Sequence, residues 1–503
     1  MSSTRQPLVT VYITNYNYGA YLHQAVESVF AQTLHDYELI IIDDGSTDGS
    51  RDQVLAYEGH KGVHVVLQEN KGLNQTCNMA LGMAKGKYIM RLDADDYLAP
   101  RALEIMAGMM EQDPTLGLVF PDYYYVDVEG NIIGREVRNA IHAEVSLLDM
   151  PAHGACTLIR RIHLLSIGGY SQEFRCQDGY DLWLRFIEKH EVRNTPEPLF
   201  YYRQHGDSLS ANRKLIIETR ARIKELHARR SNRPPCPTLA FIPVRGRSIS
   251  PDCLALAPLG GKPLLDWTID AALASTQLSA VVVTSPDRAV LDHVRSRYGD
   301  AVHAVERPRD AARAGIPLHQ TLRHVLRSLP DEAEIAQAYM MLSTETPFRS
   351  ALYIDKAINT ARIFDVDTVI AVCPESDLFF RHDGNGLQLV GNDLLYGGNR
   401  LEREYLYRAM PGLHLLTRRW FATHDHWLGD RIGHIVLAED AQQVVRTPRD
   451  LALANIVLTL DNAPLDSGIC TQTATPGNAT DTRQPEAAKA TTQTVRGGAL
   501  CVE

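Results

Sequence analysis

The chain has 503 residues, of which 45% are hydrophobic, enough for two or three domains that each bury their own core. The formal net charge of −10 comes from 51 basic and 61 acidic residues, and this near balance argues against nucleic acid or an anionic membrane as the main partner. The eight cysteines form no CxxC pair, which excludes an obvious zinc site or disulfide framework and favours reduced thiols in the cytoplasm. No apolar run reaches the roughly 18 residues of a transmembrane helix or forms a signal peptide, so no membrane span is expected.

The first 230 residues alternate apolar strands with amphipathic helices. Strands are predicted at 8–14, 37–44, 63–69 and 87–96, and helices at 18–32, 74–84 and 211–230. This alternation is typical of βαβ units around a mostly parallel sheet, and therefore of the α/β class. Ligands of such sheets bind beyond the carboxyl ends of the strands.

A linker is predicted at SNRPPCP (231–237), because its three prolines cannot continue a helix. A second α/β pattern follows, with strands predicted at 238–244, 279–285, 336–343 and 366–372. From residue 464 the chain is rich in Thr, Ala and Gln and has few large apolar residues, which predicts disorder. The expected organisation is therefore one domain over 1–230, a second over 238–463 and a tail over 464–503.

Two acidic clusters stand at the ends of predicted parallel strands. Asp43 and Asp44 end the strand in IIIDDGSTDGS (40–50), and Asp93, Asp95 and Asp96 follow the strand in MRLDADDYL (90–98). Carboxylates at such a site can accept hydrogen bonds from a base or a ribose, and a divalent cation would offset the repulsion among the three acids. Taken alone, the first cluster is equally typical of an ordinary turn, and a solvated acidic turn is the favoured interpretation of the second.

Taken together and in order, the motifs of residues 7–215 resemble the family 2 glycosyltransferases of the GT-A fold. The further motifs that carry the resemblance are VYITNYNYGAYLHQAVESVFAQT, ENKGLNQTCNMAL, GACTLIRR, IGGYSQEFRCQDGYDLWLRF and PLFYYRQHGDSLS. The resemblance implies an inverting, metal-dependent enzyme that transfers a hexose-type sugar from a nucleotide-diphosphate donor, with UDP favoured, to a glycan acceptor in surface polysaccharide biosynthesis. It leaves the donor sugar, the base and the acceptor open.

The resemblance also implies roles for individual residues. Thr14 and Tyr16 are expected to frame the nucleobase. Asp44 is expected to pair with the base, with Asp43 beside it.

The D-x-D element is expected to handle the ribose and the metal. Asp93 would contact the ribose, and Asp95 and Asp96 would bind Mn²⁺ or Mg²⁺, without a decision between these two acids as the main ligand. His205 is expected to reach the diphosphate or the metal, against the alternative of a structural histidine. His153 and Cys156 lie where the family forms part of its acceptor pocket, although packing is the favoured interpretation for both.

The catalytic base is expected in QDGYDLW (177–183). Family members usually have Glu-Asp before an aromatic residue and Asp-Leu-Trp, whereas here Gln177 replaces the Glu and Gly179 is inserted. Asp178 is the favoured base, which would take the proton from the acceptor hydroxyl. Asp181 is the rival, with an N-terminal helix acid as its structural alternative.

Residues 238–458 resemble the cytidylyltransferases that activate sialic acids and related acid sugars. The matching motifs are LAFIPVRGRSISPDCLALAPLGGKPLL, VVVTSPD, ERP, MLSTETPFRSALYIDKAI, DTVIAVCP and RTPRDLALA. The family's cationic residues are retained at Arg245, Lys262 and Arg349, and their side chains could bind an anionic sugar or nucleotide. The family's magnesium-binding Asp-x-Asp, however, aligns with Val444-Val445-Arg446, and further departures occur at Ile249, Cys253-Leu254-Ala255, Arg313 and Ser343.

The missing carboxylates favour a domain that has lost catalysis, since nucleotidyl transfer needs cations to neutralise the triphosphate. Such a domain would bind, dock or dimerise, which leaves a homodimer and a peripheral place in a glycan-assembly complex as hypotheses. The alternatives are a bifunctional enzyme with an active CMP-sugar synthetase and a scaffold role for the second half.

Overall fold

The computed structural model describes residues 6–137, 149, 151–174, 177–205, 213–313, 315–375, 377, 379–382, 384, 386–390 and 406–461. Of residues 178, 213, 214, 460 and 461 it describes the backbone alone. The predicted tail over 464–503 lies outside these residues. None of the helices in the described ranges combines the length and the apolar character of a membrane span.

The observed strands follow the predicted apolar runs closely. In chain order they are β1 (Val9–Asn15), β2 (Tyr37–Asp44), β3 (Val63–Gln68), β4 (Tyr88–Asp93), β5 (Tyr97–Leu98), β6 (Leu116–Val126), β7 (Ile132–Glu136), β8 (Leu158–Arg160), β9 (Glu191–Arg203), β10 (Thr238–Pro243), β11 (Pro258–Leu259), β12 (Lys262–Pro263), β13 (Leu278–Ser285), β14 (His303–Glu306), β15 (Ala338–Leu342), β16 (Thr368–Glu375), β17 (Phe379–His382), β18 (Leu387–Val390), β19 (Leu406–Thr417) and β20 (Ile432–Val436).

The helices lie between these strands. They are α1 (Gly19–Phe30), α2 (Ser50–Leu55), α3 (Leu73–Met83), α4 (Ala102–Gln112), α5 (Arg161–Ser166), α6 (Asp178–Ile187), α7 (Arg213–Arg230), α8 (Leu264–Leu273), α9 (Arg288–Tyr298), α10 (Leu318–Ser328), α11 (Pro330–Ile335), α12 (Ala351–Phe364), α13 (Arg418–Phe421) and α14 (Pro448–Asp461). Three short 3₁₀ turns join them, Gly299–Ala301, Asp310–Ala312 and Glu439–Gln442.

The first half is built on a nine-stranded sheet in the order β3-β2-β1-β4-β8-β6-β9-β5, with β7 paired to β6. Strands β1 to β4 are mutually parallel, whereas β8 runs antiparallel to both β4 and β6. Three of these strands, β1, β2 and β4, are almost fully buried apolar runs, as expected when helices cover both faces of a sheet, whereas the edge strand β3 is only partly buried. The mixed α/β class predicted from the sequence is confirmed.

The second half has its own seven-stranded sheet in the order β14-β13-β10-β15-β19-β16-β20. Its first four strands are parallel and repeat the order of β3-β2-β1-β4, and β19 runs antiparallel to its two neighbours. Residues 231–237, which connect the two sheets, contain no helix or strand. The domain boundaries drawn from the sequence stay a prediction, because residues Met1–Ile456 form one compact unit.

The two halves meet where α7 packs on α12. Lys224 of α7 is 1% exposed, and its Nζ lies 2.6 Å from Oδ2 of Asp149 and 2.8 Å from Oγ1 of Thr360 on α12. Burial lowers the pKa of Lys224, and the Asp149 carboxylate opposes this effect. The ammonium group is therefore held by one acid from the first half and one hydroxyl from the second.

Replacing Lys224 with methionine should destabilise the fold more than replacing Thr360 with valine. The first change leaves the Asp149 charge buried without its cation, which costs about 3 kcal/mol. The second removes a single neutral acceptor and costs about 1 kcal/mol. Urea unfolding of the two variants measures both losses, and equal losses would show that the Lys224–Asp149 pair contributes little.

Candidate active site

The site lies where the direction of strand addition reverses between β1 and β4. Thr14 at the end of β1 is in register with Asp93 at the end of β4, and its Oγ1 donates to Asp93 Oδ1 at 3.1 Å. In open α/β sheets such a reversal leaves a crevice at the carboxyl ends of the strands, which is where ligands bind. The sequence places Thr14 and Asp93 there because each stands at the carboxyl end of a buried strand.

A tight turn after β2 presents Asp44 to this crevice. Gly45 has φ +81°, and a Cβ at this position would lie 2.6 Å from the backbone nitrogen of Asn70. Only glycine fits, because the left-handed conformation and the close approach both disfavour a side chain. The turn therefore fixes the end of β2 against the loop that follows β3.

Asp44 is 5% exposed and almost saturated with hydrogen bonds. Its Oδ1 accepts from Gln68 Nε2 at 2.6 Å and from the Lys71 amide at 2.8 Å, and its Oδ2 accepts from the Gly72 amide at 2.9 Å. A carboxylate offers about four acceptor positions, so one remains on Oδ2. That position suits a single N–H donor of a ligand.

Asp93 is bound by a buried arginine on its own strand. Arg91 is 8% exposed and donates from Nε to Oδ1 at 2.7 Å and from Nη2 to Oδ2 at 2.8 Å. Burial favours the neutral acid, but the Arg91 charge and hydrogen bonds dominate and lower the pKa of Asp93. Asp93 is therefore a fixed anion at the end of β4.

Asp95 and Asp96 lie in the turn that follows β4 and have different surroundings. Asp95 Oδ2 is 3.0 Å from His205 Nε2, whereas Asp96 Oδ1 accepts from the Arg203 amide at 2.9 Å and its buried Oδ2 has no hydrogen-bond partner. Burial and the neighbouring acids raise the pKa of both carboxyls. A cation would offset this repulsion among the acids.

The donor set fits a hard divalent cation only in part. Asp95 and His205 together offer one carboxylate and one imidazole, and the unpartnered Asp96 Oδ2 is a further oxygen nearby. In the described ranges, no group of three or more His, Cys, Asp or Glu side chains is arranged to hold a metal by itself. Metals that bridge substrate phosphates usually take one or two carboxylates from the protein and the other ligands from phosphate and water.

Asp44, Asp93, Asp95 and Asp96 line one cavity of about 840 Å³. It is large enough for a nucleotide and one or more sugars, since ligand pockets commonly measure about 300–1,000 Å³. Its walls include the predicted site residues Thr14, Tyr16, Asp44, Asp93, Asp95 and Asp96. Further lining residues are Arg91, Tyr123, Tyr125, His153, Gly154, Gln177, Gly179, Tyr180, Tyr202 and Arg220.

The segment that contributes most of these strand ends matches a known family. Residues 10–163 match the model described as Glycosyl transferase family 2. The segment over residues 10–163 is a family 2 glycosyltransferase segment. The resemblance inferred from the ordered motifs is thereby confirmed for this half of the chain.

Curated relatives share this glycosyltransferase domain with the chain. Chondroitin synthase of Escherichia coli is 32% identical over 217 residues, which is 42% of this chain and 31% of that protein. Hyaluronan synthase of Pasteurella multocida is 30% identical over 217 residues, 42% of this chain and 22% of that protein. The chain thus spans about a fifth to a third of the length of these relatives. Among solved structures, S. aureus TarS 1–349 in complex with UDP-GlcNAc has a TM-score of 0.38 and 17% identity, with 44% of this chain and 65% of that chain covered.

Asp43 is one predicted residue of the glycosyltransferase domain that does not line the cavity. It is fully buried, with Oδ2 accepting from Asn15 Nδ2 at 2.8 Å and Oδ1 accepting from the Ser46 amide at 3.1 Å. These contacts stabilise the turn that carries Asp44. Asp43 therefore supports the site from below the cavity wall and does not face the cavity. His205 contacts the cavity acid Asp95, meets the Tyr18 ring edge to face and stacks near the Tyr21 ring.

The side chain of Asp178, the predicted base, lies outside the described part of the structure. Its neighbours Gln177 and Gly179 both line the cavity, so the backbone places residue 178 at the cavity wall. Asp181 is 2% exposed and its Oδ2 is 2.8 Å from Arg185 Nη2. Asp181 does not line the cavity and instead pairs within α6.

Of the three cations predicted as binding residues in the second half, Lys262 and Arg245 lie on different elements from the glycosyltransferase cavity. Lys262 forms a short ion pair with Asp270, and its Nζ is 4.3 Å from the centre of the Trp267 ring. Arg245 is exposed after β10. Neither residue lines the cavity described above.

Arg91 and Arg203 organise the site, although their motifs alone suggested no role for them. Arg203 is 2% exposed and donates from Nε to the Asp95 carbonyl at 2.9 Å and from Nη2 to Gln24 Oε1 at 2.6 Å. Its guanidinium also lies 4.5 Å from the Tyr21 ring centre. The sequence feature that could have indicated their role is a charged residue inside an apolar strand. Arg91 stands in YIMRLD and Arg203 stands in LFYYR.

Proposed function

We propose that the N-terminal domain transfers a sugar from a UDP-sugar to a glycan acceptor in polysaccharide synthesis. The observation that carries the proposal is the single cavity that joins Asp44, Asp93 and Asp95 at the ends of parallel strands in a family 2 domain. The relatives named chondroitin synthase and hyaluronan synthase support polysaccharide synthesis as the setting. The donor sugar stays open, because sugar and acceptor contacts lie on variable loops.

The proposed mechanism begins with the nucleotide at the strand ends. The free acceptor position on Asp44 Oδ2 would take an N–H of uracil, with Thr14 and Tyr16 beside the base. Asp93, held by Arg91, would accept from the ribose hydroxyls. Each of these contacts uses a group that the fold has already fixed, so little ordering is required when the donor binds.

Asp95 and His205 would hold Mn²⁺ or Mg²⁺, with Asp96 adjacent. When bound, the cation offsets the charge that develops on the departing diphosphate. Asp178 would take the proton from the acceptor hydroxyl as that oxygen attacks the anomeric carbon. Attack from the face opposite the nucleotide inverts the anomeric configuration.

For the second half, we propose a cytidylyltransferase-like domain without nucleotidyl-transfer activity. The retained cations support this proposal: Lys262 pairs with Asp270, and Arg349 is 1% exposed and donates to the Gly412 carbonyl. Arg446, at the position of the missing Asp-x-Asp, binds Glu345 Oε2 at 2.7 Å. An ion pair thus occupies the segment where a magnesium site would be needed.

Pyrophosphate release from CTP separates this proposal from a bifunctional enzyme. We expect no release above the protein-free blank with CTP, Mg²⁺ and a panel of acidic sugars, because the acidic ligands are missing. Turnover with any member of the panel would show that the second half is an active synthetase. The first-half function is unaffected by either result.

Nucleotide binding tests the first-half function directly. In a thermal-shift series with Mn²⁺, UDP should raise the unfolding temperature more than GDP, CDP or CMP, since a ligand stabilises the state it binds by mass action. Chelation with EDTA should remove most of the UDP effect. A larger shift with another nucleotide would contradict the assignment of uracil to Asp44.

A further inference from the structure

The cavity has a strongly uneven distribution of charge. Its described walls carry the four carboxylates Asp44, Asp93, Asp95 and Asp96 and the two guanidinium groups of Arg91 and Arg220. Arg91 donates two hydrogen bonds to the Asp93 carboxylate. Arg220 is therefore the one guanidinium in the described cavity wall that forms no ion pair with a described carboxylate.

Arg220 is nevertheless held in place by its neighbours. Its Nε donates to Gln177 Oε1 at 2.7 Å, and its guanidinium lies 5.0 Å from the centre of the Tyr180 ring. The Tyr180 hydroxyl donates to Asp149, which also accepts from Lys224 one turn further along α7. Within the part of the chain that the structure describes, these contacts leave the η nitrogens for a ligand, and those nitrogens form the edge with which arginine binds a planar oxyanion through parallel hydrogen bonds.

The surroundings of Arg220 carry an excess of positive groups. Lys224 and Lys356 are both buried beside it, and Asp149 is the described carboxylate among them. Burial, together with the charges of Lys224 and Arg220, lowers the pKa of Lys356 to about 7. An anion bound at Arg220 would be stabilised by this cluster.

The position of Arg220 indicates the acceptor rather than the donor. Its partner Gln177 immediately precedes Asp178, the proposed base, which must contact the acceptor hydroxyl. Gly179 follows, and a Cβ there would lie 3.8 Å from Gly154 Cα on the opposite segment. The nucleotide contacts, in contrast, are at Asp44 and Asp93 at the ends of β2 and β4.

We propose that Arg220 binds the carboxylate of an acidic sugar residue at the end of the glycan acceptor. This inference rests on the proposed function and narrows its acceptor to an anionic glycan. Arg220 would contact the substrate through its η nitrogens, whereas the second half of the chain, through Thr360 and Lys224, would position α7. A guanidinium could also bind the donor diphosphate, and the experiment separates the two sources.

The test compares two oligosaccharides that differ only at one group. One ends in a uronic acid residue, and the other is its carboxyl-reduced form. Calorimetry of the full chain in saturating UDP and Mn²⁺ should show the uronate form binding about tenfold or more tightly, as expected for a charge-assisted bidentate contact. Equal binding, or no binding of either form, would overturn the inference.

Three variants at two positions of α7 locate the effect. Arg220→Gln should abolish the preference for the uronate form and leave UDP affinity unchanged, and Arg220→Lys should retain part of the preference. Arg222→Gln makes the same charge change at an exposed position two residues away and should behave as wild type. A loss of UDP affinity in Arg220→Gln with the preference intact would assign the anion to the donor diphosphate and overturn the proposal. The UDP titration of the wild-type chain tests the proposed function separately. If the wild-type chain does not bind UDP, the proposed function is contradicted, whatever the result for Arg220.

Discussion

Replacing Asp95 with asparagine is expected to reduce sugar transfer by about a thousandfold, because a cation on the departing diphosphate contributes several kcal/mol to the transition state. Asp95 is the acid that contacts His205, at 3.0 Å, and burial and Asp93 raise its pKa. An amide in its place keeps the shape of the turn but offers no negative charge to the metal. Steady-state transfer rates at saturating donor measure the loss.

Asp113→Asn is the matched control for this variant. Asp113 is a partly exposed acid that pairs with Arg193 at 2.8 Å and does not line the cavity. The control should keep wild-type transfer and wild-type dependence on Mn²⁺. Unchanged activity in Asp95→Asn would rule out a metal role for this residue. Asp96 would then be the candidate metal ligand.

Replacing Asp178 with asparagine should lower kcat by about a hundredfold to ten-thousandfold, the range that general-base catalysis supplies. UDP affinity should stay unchanged, since the base acts on the acceptor hydroxyl. Single-turnover transfer together with a UDP titration separates the two effects. A rise of the rate with pH in the variant, as hydroxide replaces the base, would be a further sign of this role.

Asp181→Asn distinguishes the rival base from the favoured one. Asp181 is buried, pairs with the partly exposed Arg185 and lies 3.5 Å from His227, so its loss removes a charge-assisted hydrogen bond and costs about 2 kcal/mol of stability. Transfer by the protein that remains folded should be close to wild type. A variant that unfolds normally but loses kcat as strongly as Asp178→Asn would identify Asp181 as the base.

The parallel strands and the strand-end acids of the first half were predictable from the sequence. Long apolar runs such as YELIIIDD can only be buried strands, and the first polar residues after them must lie at the carboxyl edge of the sheet. The predicted strand at 37–44 is observed as Tyr37–Asp44, and Asp44 lies in the cavity wall. The local sequence pattern was sufficient to predict where these acids lie, because their position depends only on the strand that they end.

The partners of the acids were not predictable, because they come from distant parts of the chain. Asp43 and Asp44 are adjacent and look alike in sequence, yet Asp43 is fully buried beneath the turn and Asp44 lines the cavity. Arg203 reaches the Asp95 carbonyl across more than 100 residues. Likewise, the contact of Lys224 with Thr360 depends on how α7 packs on α12, which no local pattern specifies.

Product analysis after incubation with donor and acceptor tests the proposed sugar transfer most directly. The full chain is incubated with single UDP-sugars, Mn²⁺ and an oligosaccharide acceptor, and the product is analysed by mass spectrometry and by NMR of its anomeric proton. We expect extension by one sugar with a particular donor, an anomeric configuration opposite to that of the donor, and loss of the product in EDTA. No UDP release or extension with any donor from a folded protein that binds UDP, or full transfer in EDTA, would contradict it.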